Sequence, residues 1–91
     1  MIRSFRHKGL SRLWCDNDPS EVRTDLVKRV RRRLSALNAA TSTTELRVPG
    51  FNFHLLQGKP KRFSIHVNGP LCITFEWVEG EAWRVDLEQY H

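Results

Sequence analysis

Apolar and polar residues alternate in several runs through the second half of the chain, and the apolar residues that define this alternation have odd numbers. Turn-forming residues at positions 58–60, 68–70 and 79–80 separate the runs. This period-two pattern is typical of an antiparallel sheet that buries one face. The odd-numbered set is Phe51, Phe53, Leu55, Phe63, Ile65, Val67, Leu71, Ile73, Phe75, Trp77, Trp83, Val85 and Leu87. The pattern therefore predicts a four-stranded meander.

The first half of the chain has the period of a helix. Asp18-Pro19-Ser20-Glu21 combines an N-cap residue, a proline at the first helical position and a glutamate that can bond back to the cap. Apolar residues recur behind it every three or four positions, at Val22, Leu26, Val30, Leu34 and Leu37. The spacing predicts an amphipathic helix over about residues 19–40.

Two shorter elements are expected before this helix: an edge strand over residues 1–5 and a short helix with Leu10, Leu13 and Trp14 on one stripe. The order of elements predicts a single α+β domain over residues 1–91, with a short N-terminal strand and two helices packed on one face of a four-stranded antiparallel sheet. Parity also predicts that Val67 lies opposite Leu71 across a three-residue loop, since both apolar sets then share one face.

The charge balance favours an acidic partner. Fifteen Lys and Arg residues against ten acids give a net charge of +5 and a sequence pI near 9.9. Nucleic acid is the best candidate partner, and a membrane is not expected, because no apolar run approaches the ~18 residues of a spanning helix. No apolar segment follows the basic N-terminus, so we expect no secretion signal. Cys15 and Cys72 fit no zinc spacing, and two free thiols in a cytoplasmic protein are expected.

The even-numbered strand residues form the opposite, polar face: Asn52, His54, Leu56, Arg62, Ser64, His66, Cys72, Thr74, Glu76, Arg84, Asp86, Glu88 and Tyr90. Ordinary polar residues facing solvent would explain any one of them. The set is nevertheless richer than solubility requires. We expect His54, Arg62, Tyr90 and the following His91 to converge on one concave, positively charged surface opposite the long helix.

These residue types suit metal-independent RNA cleavage. A base removes the proton of the 2′-OH, a cation stabilises the charged phosphorane, and an acid protonates the leaving 5′-oxygen. We expect His54, Tyr90 and His91 to be catalytic, Lys59, Lys61, Arg62 and Arg84 to hold phosphate, and no metal or cofactor to take part. His7 and His66 are interpreted as structural or surface residues. The arginine run 31–33 is interpreted as a solvated helix face, with an RNA or ribosome contact as the alternative.

Several segments taken together resemble the HigB toxins of the RelE superfamily, also known as plasmid maintenance killer proteins. They are residues 1–5, 37–41, Pro49-Gly50-Phe51 with His54, Val67-Asn68-Gly69, Ile73-Thr74-Phe75 and Tyr90-His91. The resemblance spans nearly the whole chain. It implies a RelE-like fold, ribosome-dependent mRNA cleavage that inhibits translation, and neutralisation by a HigA-like helix-turn-helix antitoxin. It also implies that His54, Tyr90 and His91 are site residues.

The chain departs from the family pattern at four positions. Gln57 stands where the family usually has a lysine, Leu71 where a tryptophan is common, Cys72 where an arginine is usual and Gln89 where an aspartate precedes the final Tyr-His. Two further hypotheses therefore stay open beside the enzyme. One is a catalytically weak or degenerate toxin that still binds RNA or ribosome and antitoxin. The other, suggested by charge alone, is a DNA-binding accessory of a repressor complex.

Overall fold

The computed structural model describes residues 1–89, and the expected α+β architecture is confirmed. Four antiparallel strands lie in the order β1-β2-β3-β4, and two helices pack against the sheet. The elements are α1 (Lys8–Asp16), α2 (Val27–Ala39), β1 (His54–Leu56), β2 (Arg62–Asn68), β3 (Leu71–Val78) and β4 (Glu81–Gln89), with 3₁₀ turns at Thr24–Leu26 and Thr43–Leu46. Neither helix in this part of the chain has the length and apolarity to cross a membrane.

The odd face of the sheet forms the core with the helices. Val30, Leu34 and Leu37 of α2 are fully buried. Ile65 and Ile73 of the sheet are also fully buried and belong to the same hydrophobic core. Burying a side chain of this size contributes roughly 1.5–3 kcal/mol, so the core is the main source of stability. The expectation fails at the edge strand β1, where Leu55 is half exposed.

The N-terminal segment, expected to be a short edge strand, pairs with β4 only through two isolated parallel bridges. Ile2 pairs with Ala82 and Phe5 pairs with Val85. The Arg3 amide donates to the Ala82 carbonyl at 2.7 Å, and the Ala82 amide donates to the Met1 carbonyl at 3.0 Å. These bonds cover the outer edge of β4, which would otherwise present unpaired backbone groups.

The predicted start of the long helix is wrong. The Asp18 carboxylate accepts from the Ser20 amide, two residues on, and so forms a turn instead of a helix cap. The following residues dock on α1 at Gly9, where a Cβ would lie 3.0 Å from both the Cβ and the carbonyl oxygen of Glu21. This tertiary contact holds 19–23 outside the helix. The continuous α-helix begins at Val27, eight residues later than the predicted start.

The β2–β3 hairpin keeps the predicted register only in its body. Ile65 lies opposite Ile73, as parity requires. At the hairpin end, however, Asn68 lies opposite Leu71, so the expected Val67–Leu71 pair is wrong. A register shift between His66 and Asn68 absorbs the extra residue and leaves a shorter connection.

A second bulge changes the faces of β4. Thr74 lies opposite Asp86, but Glu76 lies opposite Trp83, so two residues of β4 face one of β3. Arg84, in this bulge, has a positive φ of 49°. Beyond the bulge Ala82 takes the buried position, and Trp83 shares the face of Glu76. The expectation that Trp83 belongs to the buried odd face is therefore wrong.

Candidate functional site

His54 lies exposed on β1, on the face of the sheet away from the helices. Its Nδ1 is 2.9 Å from the Asn52 carbonyl oxygen. Because a carbonyl can only accept, Nδ1 carries the hydrogen, and the lone pair of a neutral ring then resides on Nε2. The Ser64 hydroxyl oxygen lies 3.3 Å from Nε2 and contacts the ring from the neighbouring strand. This arrangement gives an accessible imidazole with a defined tautomer.

A buried row of hydroxyl groups continues from His54 across the sheet. Ser64 and Thr74 are directly opposite each other on β2 and β3, and both are fully buried. The Thr74 hydroxyl donates to the Glu88 carboxylate of β4. Each hydroxyl therefore has a partner despite its burial: His54 for Ser64, and Arg62 and Glu88 for Thr74.

Arg62 is nine-tenths buried, not displayed on the surface as expected for a phosphate contact. Its guanidinium donates to Glu76 at 3.1 Å, to the Thr74 hydroxyl at 3.0 Å and to the Arg84 carbonyl at 2.9 Å. Its Nε is buried without a hydrogen-bond partner among residues 1–89. Arg84 is more than half exposed and shares Glu76 with Arg62, at 3.1 Å from the second carboxylate oxygen. One carboxylate thus compensates both arginines.

The charge of this face differs from the expected positive surface. Its described strands carry two arginines and four carboxylates, on Glu76, Glu81, Asp86 and Glu88. Asp86 is compensated from outside by Arg6, 3.7 Å away. The strand residues from 54 to 89 therefore give the face no excess of positive charge.

The other predicted site residues lie beside these strands. Lys59 and Lys61 are exposed in the β1–β2 loop, and neither forms an ion pair within the described part of the chain. Tyr90 and His91, expected to be catalytic, lie outside the described residues. Their convergence with His54 and Arg62 stays a prediction.

Cys72 occupies the position where an arginine was expected. It is buried on the polar face between His66 and Glu88, and burial raises the pKa of its thiol. Cys72 and Cys15 are both free, as the sequence predicted. A neutral thiol at this position provides no charge for a phosphate.

Two histidines have the structural roles assigned to them. His7 caps α1, since its Nδ1 accepts from the Leu10 amide at 3.1 Å. His66 contacts the Gly69 carbonyl at 2.9 Å in the hairpin. Of the two strand histidines within residues 1–89, His54 is exposed and His66 is partly buried.

Sequence reasoning missed the role of Arg33 when it assigned run 31–33 to a solvated face. Arg33 is nine-tenths buried, donates to the His66 carbonyl at 2.5 Å and lies 4.8 Å from the Phe51 ring centre. Its spacing was a usable signal, because it follows Val30 by three residues and precedes Leu37 by four. Arginine at the border of an apolar stripe commonly buries its stem.

Within residues 1–89 no three His, Cys, Asp or Glu side chains are grouped closely enough to hold a metal ion. The fold, with helices on one face of the sheet and an accessible histidine on the other, is that of a small RelE-like α+β toxin. The match to a family model is specific: residues 3–91 match the RelE-like toxin of the type II toxin–antitoxin system HigB, and the chain belongs to that family.

Two relatives match over the full length. The chain is 37% identical over 92 residues to Endoribonuclease HigB of Proteus vulgaris, with 100% of both chains covered. It is 32% identical over 97 residues to Toxin HigB-1 of Vibrio cholerae serotype O1, with 99% of this chain and 98% of the relative covered. The resemblance inferred from the sequence is confirmed, and membership of a type II toxin family implies an antitoxin partner.

Proposed function

We propose that this toxin is a ribosome-dependent, metal-independent endoribonuclease that cleaves mRNA and thereby inhibits translation. The observation that carries the proposal is the accessible His54 imidazole, whose Nδ1 is held by the Asn52 carbonyl. This contact places the hydrogen on Nδ1, so the lone pair of Nε2, which lies 3.3 Å from the Ser64 hydroxyl, is the one that can accept a proton. The full-length similarity to a protein named Endoribonuclease HigB supports the same chemistry.

In the proposed reaction His54 and His91 share the acid and base roles. One removes the proton of the 2′-OH as its oxygen attacks the phosphorus, and the other protonates the leaving 5′-oxygen. Tyr90 stacks on or orients a base. Arg62 is buried in its ion pair with Glu76, so the phosphate contacts fall to Lys59, Lys61 and Arg84. The two loop lysines are exposed and without ion pairs within residues 1–89. They are the most accessible charges for this role.

The proposed partners follow from the family. The ribosome presents the mRNA in the cytoplasm, and a HigA-like helix-turn-helix antitoxin neutralises the toxin, with acidic residues facing its basic surface. The net charge of +5 supports this complementarity. Co-expression with the neighbouring open reading frame should give a complex on gel filtration at low and moderate salt. Elution of the toxin alone under both conditions would contradict this partner.

The activity is tested on programmed ribosomes in magnesium buffer, with purified protein that has first been treated with EDTA and dialysed. Cleavage of the bound mRNA is expected for the unchanged chain. It should be lost in His54→Ala and on removal of His91, and retained in Gln57→Ala, a matched change in the β1–β2 loop. Each variant is checked by thermal unfolding. Full cleavage by a folded His54→Ala variant, or by the chain without His91, would disprove the catalytic assignment.

A second candidate function is a toxin-fold binding module that does not cut. Two observations favour it: Glu76 compensates both Arg62 and Arg84, and Cys72 gives a buried neutral thiol where a cation was expected. The same assay separates the two functions. Co-sedimentation with ribosomes without any mRNA cleavage would identify the binding module.

A further inference from the structure

A second cationic surface lies on α2, remote from His54 because the helix covers the opposite face of the sheet. It is a shallow depression of about 320 Å³ lined only by charged residues: Asp25, Lys28, Arg29, Arg32 and Arg33. We call these five residues the α2 depression. Four of the five side chains are positive, which distinguishes this surface from the mixed charges of the polar sheet face.

The positive charge of the α2 depression is not compensated within residues 1–89. Its one carboxylate, Asp25, is engaged by Arg23 through two hydrogen bonds of 3.0 and 2.6 Å. Lys28 and Arg32 are exposed and form no ion pair in the described part of the chain. A solvated helix face that served only solubility would intersperse both signs, so this concentration of cations indicates an anionic ligand.

Two of the cations are already held in place. Arg29 donates to the Val67 carbonyl and the Asn68 side-chain oxygen, both at 3.2 Å. Arg33 is anchored by the His66 carbonyl, and burial together with the charges of Arg29 and Arg32 lowers its pKa. Fixed guanidinium groups lose less side-chain entropy when an anion binds. An anion would also relieve the repulsion among them.

We propose that the α2 depression binds the phosphate backbone of an RNA strand, separately from the site at His54. Lys28 and Arg32 are four residues apart, a rise of about 6 Å along the helix. A nucleic-acid strand carries a phosphate about every 3.4 Å of its axis, so this row spans about two phosphates. A protein partner is less well matched, because the lining has no apolar or aromatic side chain and offers such a partner only charged groups.

The test measures binding of a fluorescent, 2′-O-methylated RNA of ~12 nucleotides by anisotropy. This probe lacks the 2′-OH, so binding is read without cleavage, and His54→Ala should bind it as well as the unchanged chain. The test variant is Lys28→Ala/Arg32→Ala, which removes two exposed cations and no described contact. The control is Lys8→Ala/Arg47→Ala, which removes two exposed cations elsewhere and also the contact of Arg47 with the Phe53 ring, 5.5 Å from its centre.

Loss of two phosphate contacts should reduce the slope of log K against log salt by about 1.4, and affinity near 0.1 M salt by roughly 25-fold. The control should keep most of the affinity. Equal binding by the test and control variants would overturn the proposal. So would a test variant that keeps RNA binding but no longer co-purifies with the antitoxin, since the α2 depression would then be a protein-binding surface. The two proposals are tested by different results: His54→Ala should lose ribosomal mRNA cleavage, which tests the enzyme, and should keep probe binding, which tests the α2 depression.

Discussion

Arg62 and Glu76 should behave as a buried ion pair, so that replacing only one of the two residues strongly destabilises the protein. Only 10% of the Arg62 side chain and 13% of the Glu76 side chain are exposed, and the charged atoms are 3.1 Å apart. Glu76→Leu leaves the Arg62 guanidinium buried with only neutral acceptors, on Thr74 and Arg84. Breaking a buried pair in this way costs about 3–5 kcal/mol. For a domain of this size, 3 kcal/mol lowers Tm by roughly 12–24 °C.

The double variant Arg62→Met/Glu76→Leu should be more stable than the sum of the single losses predicts. Replacing both charges by apolar groups removes the stranded charge, and such replacements are often close to neutral. We expect a coupling free energy of at least about 2 kcal/mol from the double-mutant cycle. Thermal and urea unfolding, followed by circular dichroism, measure all four proteins.

The matched control is the exposed pair Arg3–Glu81, 2.7 Å apart, with 48% and 25% of the side chains exposed. Its coupling should stay below about 1 kcal/mol, because water screens exposed charges. Additive losses for Arg62 and Glu76, within about 0.5 kcal/mol, would refute the reasoning. Arg62 would then be free to serve mainly as a phosphate contact.

Three further outcomes are expected. Cys72→Arg should raise ribosomal mRNA cleavage about tenfold or more, since it restores a phosphate-stabilising charge; an unchanged rate in a folded variant would contradict this. Maleimide should modify exposed Cys15 well before Cys72 in the folded protein, measured by mass spectrometry. Because burial raises the pKa of Cys72, folding favours its neutral thiol. This contribution to the free energy of unfolding is present below the ordinary thiol pKa and is lost as pH rises above it through the raised value. Hydrogen bonds from the Thr41 hydroxyl and amide lower the pKa of Glu45. The contribution of the ionised Glu45 to the free energy of unfolding is therefore present above the ordinary glutamate pKa and is lost as pH falls through the lowered value. NMR titration of Thr41→Val should show that pKa rising towards the ordinary value.

The sheet was predictable from sequence because side-chain parity is a local property of a strand. Ile65 and Ile73 are fully buried and opposite each other, as parity requires. The β4 bulge was not predictable, because arginine at a positive φ has no sequence marker comparable to glycine. Ala82 fills the buried position beyond the bulge, while the larger Trp83 shares the face of Glu76. The alternation of apolar and polar residues therefore assigned Trp83 to the wrong face.

The start of α2 could not be read from its capping signal for a different reason. Asp18 and Glu21 fit a capping box, but Asp18 forms a two-residue turn and Glu21 pairs with Arg12 at 3.0 Å. The backbone of Glu21 also approaches Gly9 on α1. These are tertiary contacts between segments, which a local pattern does not contain. The apolar stripe of α2 was still predicted correctly, since it is set by helical period.

The sequence predicted which types of residue lie on the polar face of the sheet better than it predicted which of their charges are exposed. His54 has the exposure expected of an acid or base, whereas Arg62 is buried in an ion pair. The accessible, unpaired cations of residues 1–89 include the loop lysines Lys59 and Lys61 on one side and Lys28 and Arg32 of the α2 depression on the other. This separation implies that proton transfer at the sheet face and the binding of RNA phosphates depend on different residues. Variants of the α2 depression should therefore weaken substrate binding while leaving the cleavage rate of bound mRNA close to that of the unchanged chain.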